Sequence, residues 1–345
     1  MNRRPSFATK YVQWRKEKMD DIRYEDVCIS SRIRFARNIA EIPFPNASKE
    51  DNNKVISKVR EALGNKYLEC DFDSFNDAEK QSYVEKHIVS REFAESKLPH
   101  ALFSDKDGDV RIMVCEEDHI RIQSITRGLS LTEAYNSACR ADEILSEGLN
   151  IAYDDNLGYL TKCPTNLGSA MRASVMLFLP GLSLTKRIRS ILSQLSKLGV
   201  AVRGIYGEGS EALGYIYQIS NRETMGLTES DILEKIDEIS KQIIQLERKA
   251  RADLSDSLGD DLIDRVMRSL GTAKYAHLLS LTEFMNAYAD IRMGISLGII
   301  RDIDYVTVDK LFSDVMPGAI IAKSACERTE SALSKERAKR IKEYL

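Results

Sequence analysis

The 345-residue chain contains no run of 18 apolar residues, so nothing in it reads as a membrane-spanning helix. Its most apolar stretch, Val175 to Leu184, is short and broken by Pro180-Gly181. The N-terminus, MNRRPSFATKYVQWRKEKMD, has no apolar core of the kind a cleaved secretory signal carries. Histidine is scarce, four in all, and none stands in an HxxxH or HExxH spacing. The six cysteines form no CxxC pair. A zinc site is therefore poorly supported, and reduced thiols in a cytoplasmic protein are the expectation. A GxxxxGK[ST] phosphate loop is missing, as are the HRD and DFG signatures, which excludes those nucleotide-binding folds on motif grounds. Lys+Arg 50 against Asp+Glu 53 leaves a net charge of −3. That balance argues against direct nucleic-acid binding, even with RIRFAR and a basic C-terminal helix in the sequence.

What is present is ordinary for a folded chain: 43% hydrophobic and 30% charged residues. The length suggests about two domains. Val27 to Ile29 reads as the start of a strand, and Asp51 to Leu63 as a helix with Val55, Val59 and Leu63 in register. Ala101-Leu102-Phe103 and Val110 to Val114, joined through Asp107-Gly108, read as a hairpin. Tyr153 and Tyr159 flank a second one. Ala173 to Leu179 reads as a strand, Leu182 to Leu198 as a helix, and Val200-Ala201-Val202 and Tyr215 to Ile219 as strands around a glycine-rich loop. Thr228 with Asp231 is a capping box opening a helix whose stripe is Ile232, Ile236, Ile239, Ile243 and Leu246. That stripe suits either a core or a dimer seam. Later segments read as helical: Leu262/Val266/Leu270 stopped by Gly271, Leu278 to Ile291, Val308/Leu311/Val315 stopped by Pro317-Gly318, and Ser331 to Leu345. The expected fold is α+β: residues 1–250 with a largely antiparallel sheet flanked by helices, and an all-helical C-terminal domain over 251–345.

Four segments could carry chemistry. In Glu116-Glu117-Asp118-His119-Ile120-Arg121, strand alternation would send Glu117, His119 and Arg121 one way and Glu116 and Asp118 the other. Taken alone, this is equally a solvated strand end. Arg32 and Arg34 share a face if extended, a spacing that suits a polyphosphate or a protected edge strand. Cys163-Pro164 puts a thiol at a loop, reactive if arginines surround it and inert otherwise. Arg203 to Ala212 is glycine-rich, but a strand follows it rather than the helix a dinucleotide fingerprint needs, so a hinge loop bringing in Glu208 fits better. Arginines thus recur beside carboxylates, as an anion cradle facing an acidic pocket would require.

The segments CISSRIRFARN, EEDHIRIQ, CPTNLGSAMRAS and RGIYGEGSEALGYIYQISN resemble, in order and spacing, the motifs of the phosphagen kinase superfamily of creatine and arginine kinases. Within it the chain resembles the bacterial protein-arginine kinases. The SSRxR motif begins at Ser30, leaving no room for the helical domain that precedes it in small-molecule kinases, and GEGSEALG matches as well.

The resemblance implies ATP-dependent phosphorylation of arginine side chains in proteins, marking them for Clp-type proteolysis in the stress response. It implies ATP and Mg²⁺ as cofactors, the metal held mainly by phosphates and water. It also implies a zinc-containing activator protein, a Clp-type unfoldase and a homodimer. Arg32, Arg34, Arg121, Arg172 and Arg203 would clamp the phosphates. Glu117 would hold the guanidinium and act as base, Glu208 would be its second contact, and Cys163 the reactive cysteine. His87 would lie near the adenine. Ser30, Ser31, Arg32, Ile33 and Arg34, then Arg172, Ala173, Ser174, Val175 and Met176, then Arg203, Gly204, Ile205, Tyr206, Gly207 and Glu208 would line the nucleotide site. A guanidinium is protonated and a poor nucleophile, so carboxylates must orient it and take its proton. A silent adaptor of the same fold and a kinase for free arginine are the alternatives. Three positions depart from the family pattern. Cys115 replaces an Asn. Ala170 replaces a Gly, which requires a negative φ there. Leu333-Ser334 stand where Arg-Asp would precede Arg337-Ala338 in a phosphoarginine-binding pattern.

Overall fold

The computed structural model describes residues 24–44, 48–204, 212–324 and 326–345. Ten strands occur among them: β1 (Cys28–Arg37), β2 (Leu68–Cys70), β3 (Ala101–Ser104), β4 (Val110–Val114), β5 (Ile120–Arg127), β6 (Tyr153–Asp154), β7 (Gly158–Tyr159), β8 (Met171–Phe178), β9 (Val200–Gly204) and β10 (Ile216–Asn221). Eight of them form one sheet in the order β2-β3-β4-β5-β1-β8-β10-β9. Every neighbouring pair in that sheet is antiparallel. The β3–β4 hairpin turns where expected, with Gly108 at φ 78. β6 and β7 make the small second hairpin.

Period-2 alternation gives the sheet two unlike faces. On one, Ile33 and Phe35 of β1, Ile112 of β4, Ile122 of β5 and Val175 of β8 are buried in the main core. The helix Leu131–Gly148 packs there with Ala134, Ala138, Ala141 and Leu145, all fully buried. Its alanines let the backbone approach the sheet closely. The helix Glu229–Leu258 joins it through Ile232, Ile236 and Ile243, after the capping box of Thr228 and Asp231. The isoleucine stripe thus lies in the core, whereas Leu246 is exposed. Each such aliphatic side chain contributes about 1.5–3 kcal/mol by leaving water.

The helices after residue 258 build a second core that is continuous with the sheet. Phe178 of β8 and Ile216 of β10 are buried with Leu262, Val266, Phe284 and Tyr288. Two fully buried arginines pin the junction. Arg251 donates to the Phe178 carbonyl (2.9 Å), the Asp26 carbonyl (2.9 Å), the Ser296 hydroxyl (2.7 Å) and the Glu247 carboxylate (2.6 Å). Arg292 donates to the carbonyls of Glu25 (2.8 Å) and Asp26 (3.2 Å) and to Asp309 (3.0 Å). Burial works against the Arg292 charge, but Asp309 outweighs it and holds the guanidinium above its ordinary range.

Several expected elements differ in detail. Leu182 to Leu198 is two helices, Pro180–Leu184 and Ile188–Lys197, broken where Lys186 takes φ 59. Gly271 does not end a helix: Asp260–Tyr275 runs through it, and a Cβ there would meet nothing within 4 Å. Pro317 opens the helix Pro317–Ser324 instead of only stopping the one before it, because a first-turn proline loses no hydrogen bond.

Candidate active site

The polar face of the sheet is built by register. Arg34 on β1 lies opposite Arg172 on β8 and Gln123 on β5. Arg32 lies opposite Ser174, and Arg203 on β9 lies opposite Gln218 on β10. Directly opposite residues share a face, so four strands, β1, β5, β8 and β9, deliver Arg32, Arg34, Arg121, Arg172 and Arg203 to one surface.

Neutral oxygens hold several of these guanidinium groups. Arg32 donates to Ser174 Oγ (3.4 Å) and Gln218 Oε1 (3.3 Å), and Arg172 donates to Ser220 Oγ (3.1 Å). Arg34 Nε is shielded from solvent with no hydrogen-bond partner. Burial, then the charges of Arg121 and Arg172, push Arg32 down to about 10. Burial and the charges of Arg32, Arg121 and Arg172 push Arg34 well down. A cluster of like charges with an orphaned buried donor is a cradle shaped for a polyanion. His87, at φ 56, stands beside it, and burial and the charges of Arg32 and Arg34 lower its imidazole to about 4. It is therefore neutral at pH 7. Its carbonyl accepts from Gln123 Nε2 (2.8 Å).

The carboxylate end forms in the turn between β4 and β5. The strand alternation expected for Glu116 to Arg121 fails there, because residues 115–119 are not in a strand. Cys115 takes φ 62, a conformation asparagine adopts readily, which accounts for the family's residue at that position. Glu116 accepts from Arg121 Nη1 (2.6 Å) and from the Ser90 hydroxyl (2.6 Å). Burial opposes its ionisation, but Arg121 and these hydrogen bonds win and hold it below the ordinary value. Glu117 is exposed and shifted the other way: partial burial, then the neighbouring Asp118 and Glu116, raise it. Asp118 is structural. Its Oδ1 accepts from Asn38 Nδ2 (2.8 Å) and from the Lys162 amide (2.7 Å), tying this turn to the loop that carries Cys163. His119 faces away as well: its Nδ1 accepts from the Ile39 amide (3.1 Å), leaving Nε2 to donate to the Pro43 carbonyl (3.2 Å). The Cys163 thiol lies 3.0 Å from the Thr165 hydroxyl.

Three linked cavities run along this face. A mostly apolar one of about 220 Å³ is lined by Ile29, Ser30, Arg32, His87 and Met176, among others. One of about 250 Å³ holds Arg32, Arg34, His87 and Arg121. A third, of about 490 Å³, is lined by Ser90, Glu92, Glu116, Glu117, Arg121 and Lys162. Arg32 and His87 join the first to the second, and Arg121 joins the second to the third.

Of the residues in the expected nucleotide-lining runs, Ser30, Arg32, Ser174 and Met176 line the apolar cavity. Ser31, Ile33, Ala173 and Val175, in the same runs, are corrected to the opposite face: they are fully buried, because alternate strand residues turn into the core. Ser31 instead bridges the Gly128 carbonyl and the Ser130 amide. Arg203 is exposed on the edge strand, and Gly204 packs against Ala212. Ile205, Tyr206, Gly207 and Glu208 lie outside the described residues. Ala170 takes φ 48, against the negative value expected, and its carbonyl accepts from the Ala36 amide (3.1 Å). Sequence reasoning missed Ser90, Gln218 and Ser220. The last two were legible, since alternation along β10 puts them on the face of Arg203.

A cradle of arginines that runs into a carboxylate pocket on an antiparallel sheet suits phosphoryl transfer to a cationic acceptor. Residues 49–250 match the family ATP:guanido phosphotransferase, C-terminal catalytic domain, and residues 259–345 match the Protein-arginine kinase McsB C-terminal domain. The protein-arginine kinase of Caldanaerobacter subterraneus subsp. tengcongensis is 44% identical, over 85% of this chain and 89% of that protein. That of Brevibacillus brevis is 38% identical, over 100% of this chain and 98% of that protein. The chain belongs to the protein-arginine kinase family, and it is a kinase. Among solved structures, a duplicated taurocyamine kinase from Schistosoma mansoni aligns with TM-score 0.55 and 26% identity over 65% of this chain and 33% of that chain. A lombricine kinase aligns at TM-score 0.57 and 22% identity, over 66% of this chain and 68% of that one, which shows the shared fold.

Proposed function

We propose that this protein transfers the γ-phosphoryl group of ATP to arginine side chains of proteins. The observation that carries the reading is the groove itself, in which the cradle with its orphaned Arg34 donor opens through Arg121 into the pocket lined by Glu117. The phosphates lie among Arg32, Arg34, Arg121, Arg172 and Arg203, which neutralise the charge spread over the transferring group. Mg²⁺ supplies further charge neutralisation and is carried by the phosphates and water. Glu117 orients the acceptor guanidinium and takes its proton as the N–P bond forms and the bond to the leaving ADP oxygen breaks. Glu116, already engaged by Arg121 and Ser90, fixes the arginine instead of acting as base.

Relatives named protein-arginine kinase that align with most of this chain support a protein acceptor. The resemblance further supports Cys163 and Glu208 as acceptor contacts, tagging for Clp-type proteolysis in the stress response, a zinc-containing activator and a cytoplasmic setting. A homodimer fits the exposed Ile263, Met267 and Tyr275, which are four and then eight residues apart along the helix Asp260–Tyr275.

Phosphorus NMR of the protein with ATP, Mg²⁺ and an unfolded acceptor protein tests the reading. An acid-labile phosphoramidate signal on the acceptor, lost with Glu117→Ala, is expected. Undiminished signal with Glu117→Ala rules out the base assignment. No signal from the wild type, with or without the activator, rules out the activity.

A further inference from the structure

The apolar cavity beside the arginine cradle has a wall that the catalytic sheet does not supply. Facing Ile29, Met176 and Ile216 from the sheet are Tyr288, Phe312 and Ser313, from helices more than sixty residues further along the chain. We propose that the C-terminal helices complete the nucleotide site, and that Phe312 is the surface against which the base of the nucleotide packs. This rests on the reading of the groove as an ATP site.

Three observations carry it. The first is position. The cavity shares Arg32 and His87 with the phosphate cradle and lies on the opposite side of it from the carboxylate pocket. With the γ-phosphoryl directed at Glu117, the remainder of the nucleotide must extend the other way. The second is size and lining. A mostly apolar space of about 220 Å³ is smaller than a pocket for a whole ligand, and it suits one flat ring system. The third is preorganisation. The Phe312 ring lies 5.0 Å from that of Tyr288 and 6.4 Å from that of Phe284. Tyr288 is itself fixed by its hydroxyl, which donates to Asp309 (2.8 Å). A half-buried ring held this way offers stacking area at little ordering cost. Nucleotide binding and the seating of the C-terminal helices on the sheet are then thermodynamically linked: each favours the other by the same factor.

Isothermal titration calorimetry on the full chain, with Mg-ATP and with Mg-tripolyphosphate, tests this without any turnover. Tripolyphosphate has the phosphates and no base. Phe312→Ala is expected to raise the Kd for ATP about tenfold or more, and to leave that for tripolyphosphate within twofold. Ser313→Trp, which fills the slot without touching the aromatic cluster, should do the same and guards against a folding defect in the first variant. ATP affinity within twofold of wild type in both variants overturns the inference. So does a parallel loss of both ligands, because the substitutions would then be acting through the cradle. Wild-type protein that binds ATP no more tightly than tripolyphosphate overturns the base pocket and leaves the phosphate reading intact. Wild-type protein that binds neither overturns both.

Discussion

Glu116 and Glu117 are chain neighbours that titrate in opposite directions. Glu116 is held ionised by Arg121 and Ser90, whereas Glu117 is raised by partial burial and by the carboxylates on either side of it. A raised carboxylate is the better base near neutral pH. The folded protein keeps the Glu117 proton to higher pH than the unfolded chain does, so an ionised Glu117 works against folding. Glu117→Gln is therefore expected to lose on the order of 10²–10⁴-fold in phosphoryl transfer and to melt slightly higher at pH 7. Phosphoramidate formation and calorimetry check the two halves; a lower melting temperature would contradict the electrostatic account. His87 has the reverse sign. Its folded value of about 4 lies below the ordinary 6.5, so its contribution to stability is complete above about 6.5 and is lost as pH falls toward 4. His87→Gln should flatten the dependence of stability on pH across that window, read from urea midpoints. Ala170 tests backbone strain. Relief of its positive φ by glycine (about 1–2 kcal/mol) is offset by the lost methyl and added chain freedom. Ala170→Gly should stay within about 1 kcal/mol of the parent, and Ala170→Val should lose at least about 2 kcal/mol, as a branched side chain is worst at such a φ.

At the scale of elements, what the sequence made legible follows the period of its apolar residues. Alternation marked β1 and β10, and a continuous apolar run marked β8. The isoleucines of Glu229–Leu258 located that helix, although the helix runs well beyond the stripe because polar residues continue it. The Glu116 to Arg121 segment misled for a physical reason: a tight turn of charged residues alternates by chance just as a strand does. Cys115 at positive φ is the signal of that turn, and no side-chain pattern announces it. The break near Lys186 and the continuity through Gly271 were equally hidden, since tertiary packing decides both. The Phe312 wall had no local signal at all. Fixing the elements to one another falls partly to Arg292. Arg292→Met should cost about 3–5 kcal/mol by removing the closest cation from the partly buried Asp309 and the buried donor from the Glu25 and Asp26 carbonyls. Arg292→Met with Asp309→Leu should recover much of that, measured by denaturant unfolding.

For the whole molecule, the two cores meet at the sheet. Phe178 and Ile216 belong to strands of the catalytic sheet, yet they are buried with the C-terminal helices. A chain ending at residue 258 would expose them, and it should bind an apolar dye and aggregate, which light scattering would detect. Intact solubility of that fragment would mean the first core closes by itself. The exposure of Glu117 has a different consequence. With Glu117 as the proposed base, a carboxylate in contact with bulk solvent can activate a water molecule as well as a guanidinium. The enzyme should therefore waste nucleotide: slow ATP hydrolysis without any acceptor, suppressed when an arginine-bearing chain occupies the groove. The ratio of phosphate released to phosphoarginine formed would then report how completely each substrate displaces the water, a fidelity set by the openness of one turn.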